Sequence, residues 1–365
     1  MNHVIRLRLL CILLFLLIFP GCAQMGYYAQ SIRGQFDIWR REKPIQDVLE
    51  DASSPQAVRE KLALVLRVRA FASVELGLPQ NDSYRRYADL QRPFVVWNVF
   101  AAPEFSTQPV QWCFVMVGCV SYRGYFSKAD ADAFADAAAA AGGQDVYVGG
   151  VPAYSTLGWF ADPVLNTFVN YPPVELARII FHELSHQVVY VRDDSVFNES
   201  FAVAVEREGL KRWIAKSGSE QDRRTFEIMQ ARRADFVGLV QTYRTRLNAL
   251  YQQDSVPQEM RASKQRLYDA MRRDYIKLKD SWGGFAGYDR WFIQSPNNAL
   301  LASVAIYTQR VPAFEAMLRA QKGDLPKFFE AVKALARQDR GAREAALRAY
   351  APEVTAEIAT RAGAL

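Results

Sequence analysis

The chain has 365 residues, half of them apolar and 23% charged, with 45 basic residues against 39 acidic ones. That length and apolar share suffice to bury one large core or two smaller ones, which excludes a disordered tail or a short peptide. A formal net charge of +6 at pH 7 is too mild in a chain of this size to imply a nucleic-acid partner.

Residues 1–21 read as a signal peptide. Arg6 and Arg8 precede an apolar run from Leu9 to Phe19, followed by Pro20, Gly21 and Cys22, and the run is too short to span a bilayer as a helix. A small residue directly before a cysteine, just after an apolar run, resembles the lipobox of bacterial lipoproteins. The resemblance implies cleavage before Cys22 and lipidation of Cys22, so that residues 22–365 are anchored to a membrane rather than spanning it. Ala23, where an aspartate would direct retention, implies by the same resemblance the outer membrane, with the chain facing the periplasm. The bland alternative is an ordinary secretory signal with an incidental cysteine. Cys11 leaves with the signal, so Cys113 and Cys119 are the pair left to the mature chain beside Cys22. In an oxidising compartment they could close a small disulfide loop; otherwise they are two buried thiols.

From about Gln30 to Leu90, apolar residues recur at three- and four-residue spacing among charged neighbours, as at Val58, Leu62, Val65 and Leu66, which predicts amphipathic helices. Between Pro93 and Phe160 the runs Phe94 to Phe100, Gln111 to Tyr122 and Gln144 to Val151 are β-branched or aromatic and bounded by Pro and Gly, predicting a small sheet interrupted by an Ala-rich helix over Lys128 to Ala141. Pro172 and Pro173 then suit the first turn of a helix running from Val174 to Val191, with a second from Ser195 to Trp213. Ser219 to Gln253 and Pro257 to Ser281 are long charged helical patterns split by a turn, an antiparallel hairpin over about 219–281. Asn297 to Lys322 and Leu325 to Tyr350 supply closing helices. With no repeat and no linker evident, the expectation is one α+β domain over residues 22–365, predominantly helical.

The chemistry is concentrated in Phe181-His182-Glu183-Leu184-Ser185-His186-Gln187, an HExxH motif within a helical pattern. Residues four apart share a helix face, so His182 and His186 can offer imidazole nitrogens to one zinc ion, and Glu183 beside them can take a proton from a water activated there. Of three histidines in the chain, His3 belongs to the signal segment; a mature protein that otherwise does without histidine keeps two at the spacing a metal needs. Catalytic zinc carries three protein ligands, and no third histidine exists, so the remaining one should be a carboxylate. If the chain turns at Arg192 to Asp194 and returns as an antiparallel helix, Glu199 and His186 each lie about 10 Å along their helices from the turn and face one another. Among competing carboxylates, Asp193 and Asp194 more simply cap the second helix, and Glu206, two turns past Glu199, suits a supporting or surface role.

His182-Glu183-x-x-His186 followed by Asn198-Glu199-x-Phe201-Ala202 is similar to the gluzincin metallopeptidases, in which the Glu of an Asn-Glu pair on the following helix is the third ligand. More of the chain is similar to a family of predicted bacterial aminopeptidases carrying lipoprotein signals. That likeness is carried by Trp112-Cys113, Gly118-Cys119 with Tyr122-Arg123-Gly124-Tyr125-Phe126, and Leu157-Gly158-Trp159-Phe160 with Asp162-Pro163-Val164-Leu165-Asn166-Thr167. The resemblance implies a zincin-like core, one zinc ion held by His182, His186 and Glu199, Glu183 as general base, and cleavage of peptides from the amino terminus. Tyr147 to Phe160, upstream of the motif, is where such folds place a substrate-binding edge strand; Gly149, Gly150 and Gly158 there would permit close approach of a peptide or serve as turn glycines. Tyr154, Tyr125 and Tyr307 are candidate oxyanion donors, and Arg123 a candidate partner for a substrate carboxylate. The contrasting expectation is a lipoprotein scaffold that keeps the fold without turnover.

Overall fold

A computed structural model describes residues 25–350 apart from Met116 and Gln294; the signal segment and Cys22 lie outside the described residues. In chain order the elements are α1 (25–41), β1 (Lys43–Pro44), α2 (Ile45–Glu50), α3 (Gln56–Val74), β2 (Arg86–Ala88), β3 (Val96–Pro103), β4 (Trp112–Phe114), β5 (Gly118–Val120), β6 (Arg123–Tyr125), α4 (Lys128–Ala140), β7 (Gln144–Val151), β8 (Val164–Leu165) and α5 (Asn166–Val169). There follow α6 (Pro173–Ser185), α7 (Ser195–Ser217), α8 (Glu220–Leu250), α9 (Pro257–Ser281), α10 (Asp289–Ile293), α11 (Asn298–Ile306), α12 (Val311–Ala320), α13 (Leu325–Ala336) and α14 (Arg340–Tyr350). The class is α+β and predominantly helical. In place of one small sheet there are three: β1-β2-β8, β6-β3-β7 and the hairpin β4-β5.

Two of the long helical stretches read from the sequence are broken in the structure. Residues 297–322 form α11 and α12 because Asn297 caps the first, accepting from Leu300 N, and Pro312 occupies the first turn of the second. Residues 325–350 likewise break before Arg340, where Asp339 accepts from Ala342 N and opens α14. The motif helix α6 is also shorter than its pattern, for a reason that belongs to the site.

The main core is built on α6 and α7, which run against each other. Phe181 of α6 and Phe201 of α7 are fully buried, each stabilising the fold by about 1.5–3 kcal/mol relative to exposure. Gly209 lets the two helices close: a β-carbon there would lie 2.9 Å from Phe181 and 2.8 Å from Leu76. The sheet β6-β3-β7 packs against α4 on one side and α11 on the other. The α8–α9 hairpin has its own core of Phe236, Val240, Tyr243, Leu247, Tyr268 and Met271. It is tied to the sheet by Lys264, whose Nζ sits 2.7 Å from Asp145 Oδ2 and donates to the Glu104 carbonyl.

Candidate active site

α6 begins with Pro172 and Pro173 and buries Val174, Leu176, Ala177, Ile179, Ile180, Phe181 and Leu184. That burial leaves the turn carrying His182, Glu183 and His186 at the helix end. The helix stops at Ser185, and His186 keeps helical dihedrals as its last residue. Gln187 N and Val188 N close turns on Leu184 O and Ser185 O, and the chain is then held from outside: Asn198 Oδ1 accepts from Val191 N at 2.7 Å, and Asn198 Nδ2 donates to Val191 O at 2.8 Å. Both backbone groups of Val191 are thus satisfied by one side chain of α7, which removes any need for further helix. The turn is then made by Asp193 in the left-handed region (φ 66°), and Asp194 caps α7 by accepting from Phe197 N at 3.2 Å. Arg343 of α14 pairs with Asp194 at 2.9 Å and pins this corner. The motif helix read as reaching Val191 therefore ends at His186, while the antiparallel return that places Glu199 opposite it is retained.

His182, His186 and Glu199 converge: one ligand atom of each lies within 4.8 Å of the others, and all three residues are buried. Glu199 Oε2 stands 3.2 Å from His182 Nε2 and 3.6 Å from His186 Nε2. The third carboxylate near the motif has a different task. Glu206, with no exposed surface, accepts His182 Nδ1 at 2.8 Å on Oε2. The same oxygen takes Arg178 at 3.2 Å, and its Oε1 takes Arg233 of α8 at 3.0 Å. A histidine committed through Nδ1 presents Nε2 to the cleft in a fixed orientation. Burial pulls the His182 imidazole down, but the hydrogen bonds to Glu199 and Glu206 outweigh it and hold it at about 10. Burial likewise favours a neutral Glu199, but His186 and His182 outweigh it and hold that carboxyl at about 2.

This donor set fits a metal ion. Two imidazole nitrogens and one carboxylate oxygen directed at one point are what a three-ligand catalytic centre needs. The positive charge that the metal-free cluster places on His182 is what a cation would replace. Glu183, next to His182, makes no hydrogen bond to a described residue; loss of water pushes its carboxyl up, offset in part by His182 and His186.

Of the tyrosines singled out from the sequence, Tyr307 reaches the site, its ring 6.3 Å from that of His182. Tyr154 instead hydrogen-bonds Gln35, and Tyr125 packs with Tyr27 and Phe134. Arg123 is also taken up there, lying over the Tyr27 and Phe134 rings at 4.2 and 4.6 Å. Sequence reasoning missed Tyr122, which follows β5 and clusters with Phe100, Tyr147, Ile306 and Tyr307. Burial and the nearby charges of Glu199 and Glu183 push both Tyr122 and Tyr307 well up, and neither hydroxyl is engaged by a described residue. Nothing local distinguishes Tyr122 among seventeen tyrosines.

Gly149 and Gly150 lie within β7, opposite Asn98 and Trp97 of β3. At Gly150 a β-carbon would lie 2.3 Å from the Phe94 ring, so packing accounts for that glycine; Gly158, at φ 81°, sits in a turn. Cys113 and Cys119 are opposed across β4-β5 and bonded to one another. Their hairpin docks on the corner after the motif, where Tyr190 donates to Val117 O at 3.0 Å and Asp193 accepts from Cys119 N.

No curated protein and no solved structure is a significant match to the chain. A family model described as "Putative aminopeptidase" matches residues 26–347, which spans both the motif helix and the carboxylate opposite it, and the chain belongs to that family.

Proposed function

We propose that the protein is a zinc-dependent aminopeptidase held by a lipid on Cys22 at the periplasmic face of the bacterial outer membrane. The observation that carries the enzymatic reading is the buried meeting of His182, His186 and Glu199 beside Glu183. The family supplies the peptide substrate and the amino-terminal direction of cleavage. The Cys113–Cys119 bond supports an oxidising compartment. Among the described residues no helix is long and apolar enough to cross a membrane. The gluzincin type rests on the order of ligands, two from α6 and the Glu of an Asn-Glu pair from α7.

Bound by His182, His186 and Glu199, zinc supplies Lewis acidity, polarising a peptide carbonyl and making a water acidic near neutral pH. Glu183 takes the proton from the attacking water and delivers it to the departing amine. Tyr122 and Tyr307, whose hydroxyls are engaged by no described residue, are the candidates to donate to the developing oxyanion. Glu206 holds His182 in one tautomer and one orientation throughout.

Metal content and hydrolysis of free and amino-blocked peptide substrates, compared between the parent and Glu183→Gln, test the reading. Stoichiometric zinc in both, with the variant slower by about a hundredfold or more and a preference for free amino termini, is the expected outcome. Absence of zinc from the purified parent defeats it, and zinc bound in two equally inert proteins favours a scaffold. Attachment is tested apart: Cys22→Ala should release the chain from the membrane fraction.

A further inference from the structure

We propose that α1 and the turn at Trp159–Phe160 form a membrane-docking face that lies on the phospholipid surface to which the chain is tethered. Half of the exposed large apolar residues among the described residues are gathered there: Met25, Ile32, Phe36, Trp39, Trp159 and Phe160 are 71, 69, 63, 40, 70 and 48% exposed. Trp39 and Phe160 join the two segments, their rings 4.8 Å apart edge to face.

α1 is apolar on two opposite sides. Gly34 and Ile38 face the protein, where Ile38 is fully buried and a β-carbon on Gly34 would lie 2.0 Å from the Phe126 ring. At 3.6 residues per turn, Met25, Ile32 and Phe36 fall on the side directly opposite. The protein covers one of these two sides and leaves the other exposed. Exposed Arg33 and Arg40 border the outer stripe, Arg40 also pairing with Asp37 at 2.9 Å. Cations flanking an apolar stripe with tryptophan at its edge suit anionic headgroups above an acyl boundary.

The tether selects lipid as the occupant, and here the proposal rests on the reading of Cys22 as acylated. Three residues of chain separate Cys22 from Met25 and reach at most about 10 Å. An acyl group on Cys22 therefore holds the Met25 end of the outer stripe within about 10 Å of the anchor, and docking of Ile32, Phe36 and Trp39 lays the rest of the helix on the surface. The docked turn is coupled to the site, since Asp162 accepts from Gln187 Nε2 at 3.3 Å, one residue past His186. Docking would thus fix how the cleft faces the periplasm.

The chain from residue 23 onward keeps every described residue and lacks the acylated cysteine, so it isolates the surface from the anchor. It should co-float with vesicles of phosphatidylethanolamine and phosphatidylglycerol, with tryptophan emission quenched by brominated acyl chains. Ile32→Glu with Phe36→Glu should weaken partitioning by roughly tenfold or more, as should Trp159→Glu alone. Val74→Glu, at a residue 79% exposed elsewhere, should leave it unchanged, with circular dichroism reporting the fold of each variant. Failure of the parent to partition, or equal partitioning of parent and variants, overturns the proposal. So does a parent dimer that the double variant dissolves without vesicle binding, which would make the face a contact between copies. The mass of the processed amino terminus reports acylation of Cys22 separately, so failure of the anchor and failure of the docking face give different results.

Discussion

Replacing Glu206 by alanine should damage both the fold and the metal affinity, in proportions that the geometry sets. The carboxylate is fully buried and serves three donors, His182 Nδ1 at 2.8 Å, Arg178 at 3.2 Å and Arg233 at 3.0 Å. Removing one side of a buried ion pair costs about 3–5 kcal/mol where the remaining charge is sealed from water. The two arginines retain 25 and 26% side-chain exposure, and Arg178 keeps Glu175 at 2.8 Å, so water recovers part of that cost and about 2–3 kcal/mol is the better figure. The imidazole left without its acceptor adds about 1–3 kcal/mol. Together they predict a loss of about 3–6 kcal/mol in urea unfolding of the metal-free protein. Freed from Glu206, His182 can turn its ring or swap tautomer, which should weaken zinc binding by about ten- to a hundredfold in competition with a chromogenic chelator. Glu206→Gln keeps a carbonyl oxygen for His182 and loses the charge, so it should lose stability while holding metal affinity within about tenfold. A folded Glu206→Ala protein that binds zinc within about twofold of the parent would refute the orienting role.

Tyr122→Phe and Tyr307→Phe discriminate the oxyanion donor: the true donor should lower kcat by about a hundredfold or more with little change in KM, and the other should act weakly. Equal, small effects from both would remove tyrosine from the mechanism. Asn198→Ala deletes both hydrogen bonds to Val191 and should destabilise by about 1–3 kcal/mol, with a matching loss of zinc because Glu199 is its neighbour; unfolding and chelator titrations on one preparation read both. Asp162 is pushed up to about 6 by burial, against hydrogen bonds from Thr156, Ser155 and Gln187. An acid raised above its unfolded value contributes stability that is present below about pH 4 and lost as pH rises through about 6, a swing of about 3 kcal/mol. Urea midpoints across that window should therefore fall in the parent relative to Asp162→Asn, and parallel curves would contradict the assignment.

The motif was legible because it is local. His182, Glu183 and His186 owe their relation to one helical turn, and three histidines in the whole chain leave little else for them to be. Glu199 was reached by a symmetric count about a turn, although α6 ends at Ser185, six residues before Val191, where the helical pattern was read to end. The answer survived because antiparallel packing of α6 on α7 sets the meeting point, whatever the conformation of the intervening corner. What could not be read was the corner itself, since Val191 is held there by Asn198 from across the site. Tyr122 was invisible for a similar reason: its place depends on pairing among β3, β6 and β7 and on α11 packing behind them. The split of 297–322 into α11 and α12 was in principle readable, because Pro312 is a first-turn residue within an otherwise continuous apolar pattern.

Arg178 and Arg233 carry a further lesson about charged helix positions. In the sequence neither arginine stands in a motif, and the hairpin that contains Arg233 reads as a long charged pair of helices within the one domain. In the structure the two arginines neutralise Glu206, and that changes what Glu206 can do. An isolated buried carboxylate at this position would either take up a proton, and lose its grip on His182, or remain charged at a cost of several kcal/mol. Held ionised by the two guanidinium groups, it is a permanent acceptor for His182 Nδ1, and a cation bound at the cluster would meet a net field set by Glu199 and Glu183 rather than by three carboxylates. One of those arginines belongs to α6 and moves with His182; the other is delivered by α8. The orientation of a metal ligand therefore depends on the hairpin being docked, and the hairpin is in turn fastened to the sheet through Lys264 and Asp145. The long charged helices are thus part of the site's supporting structure.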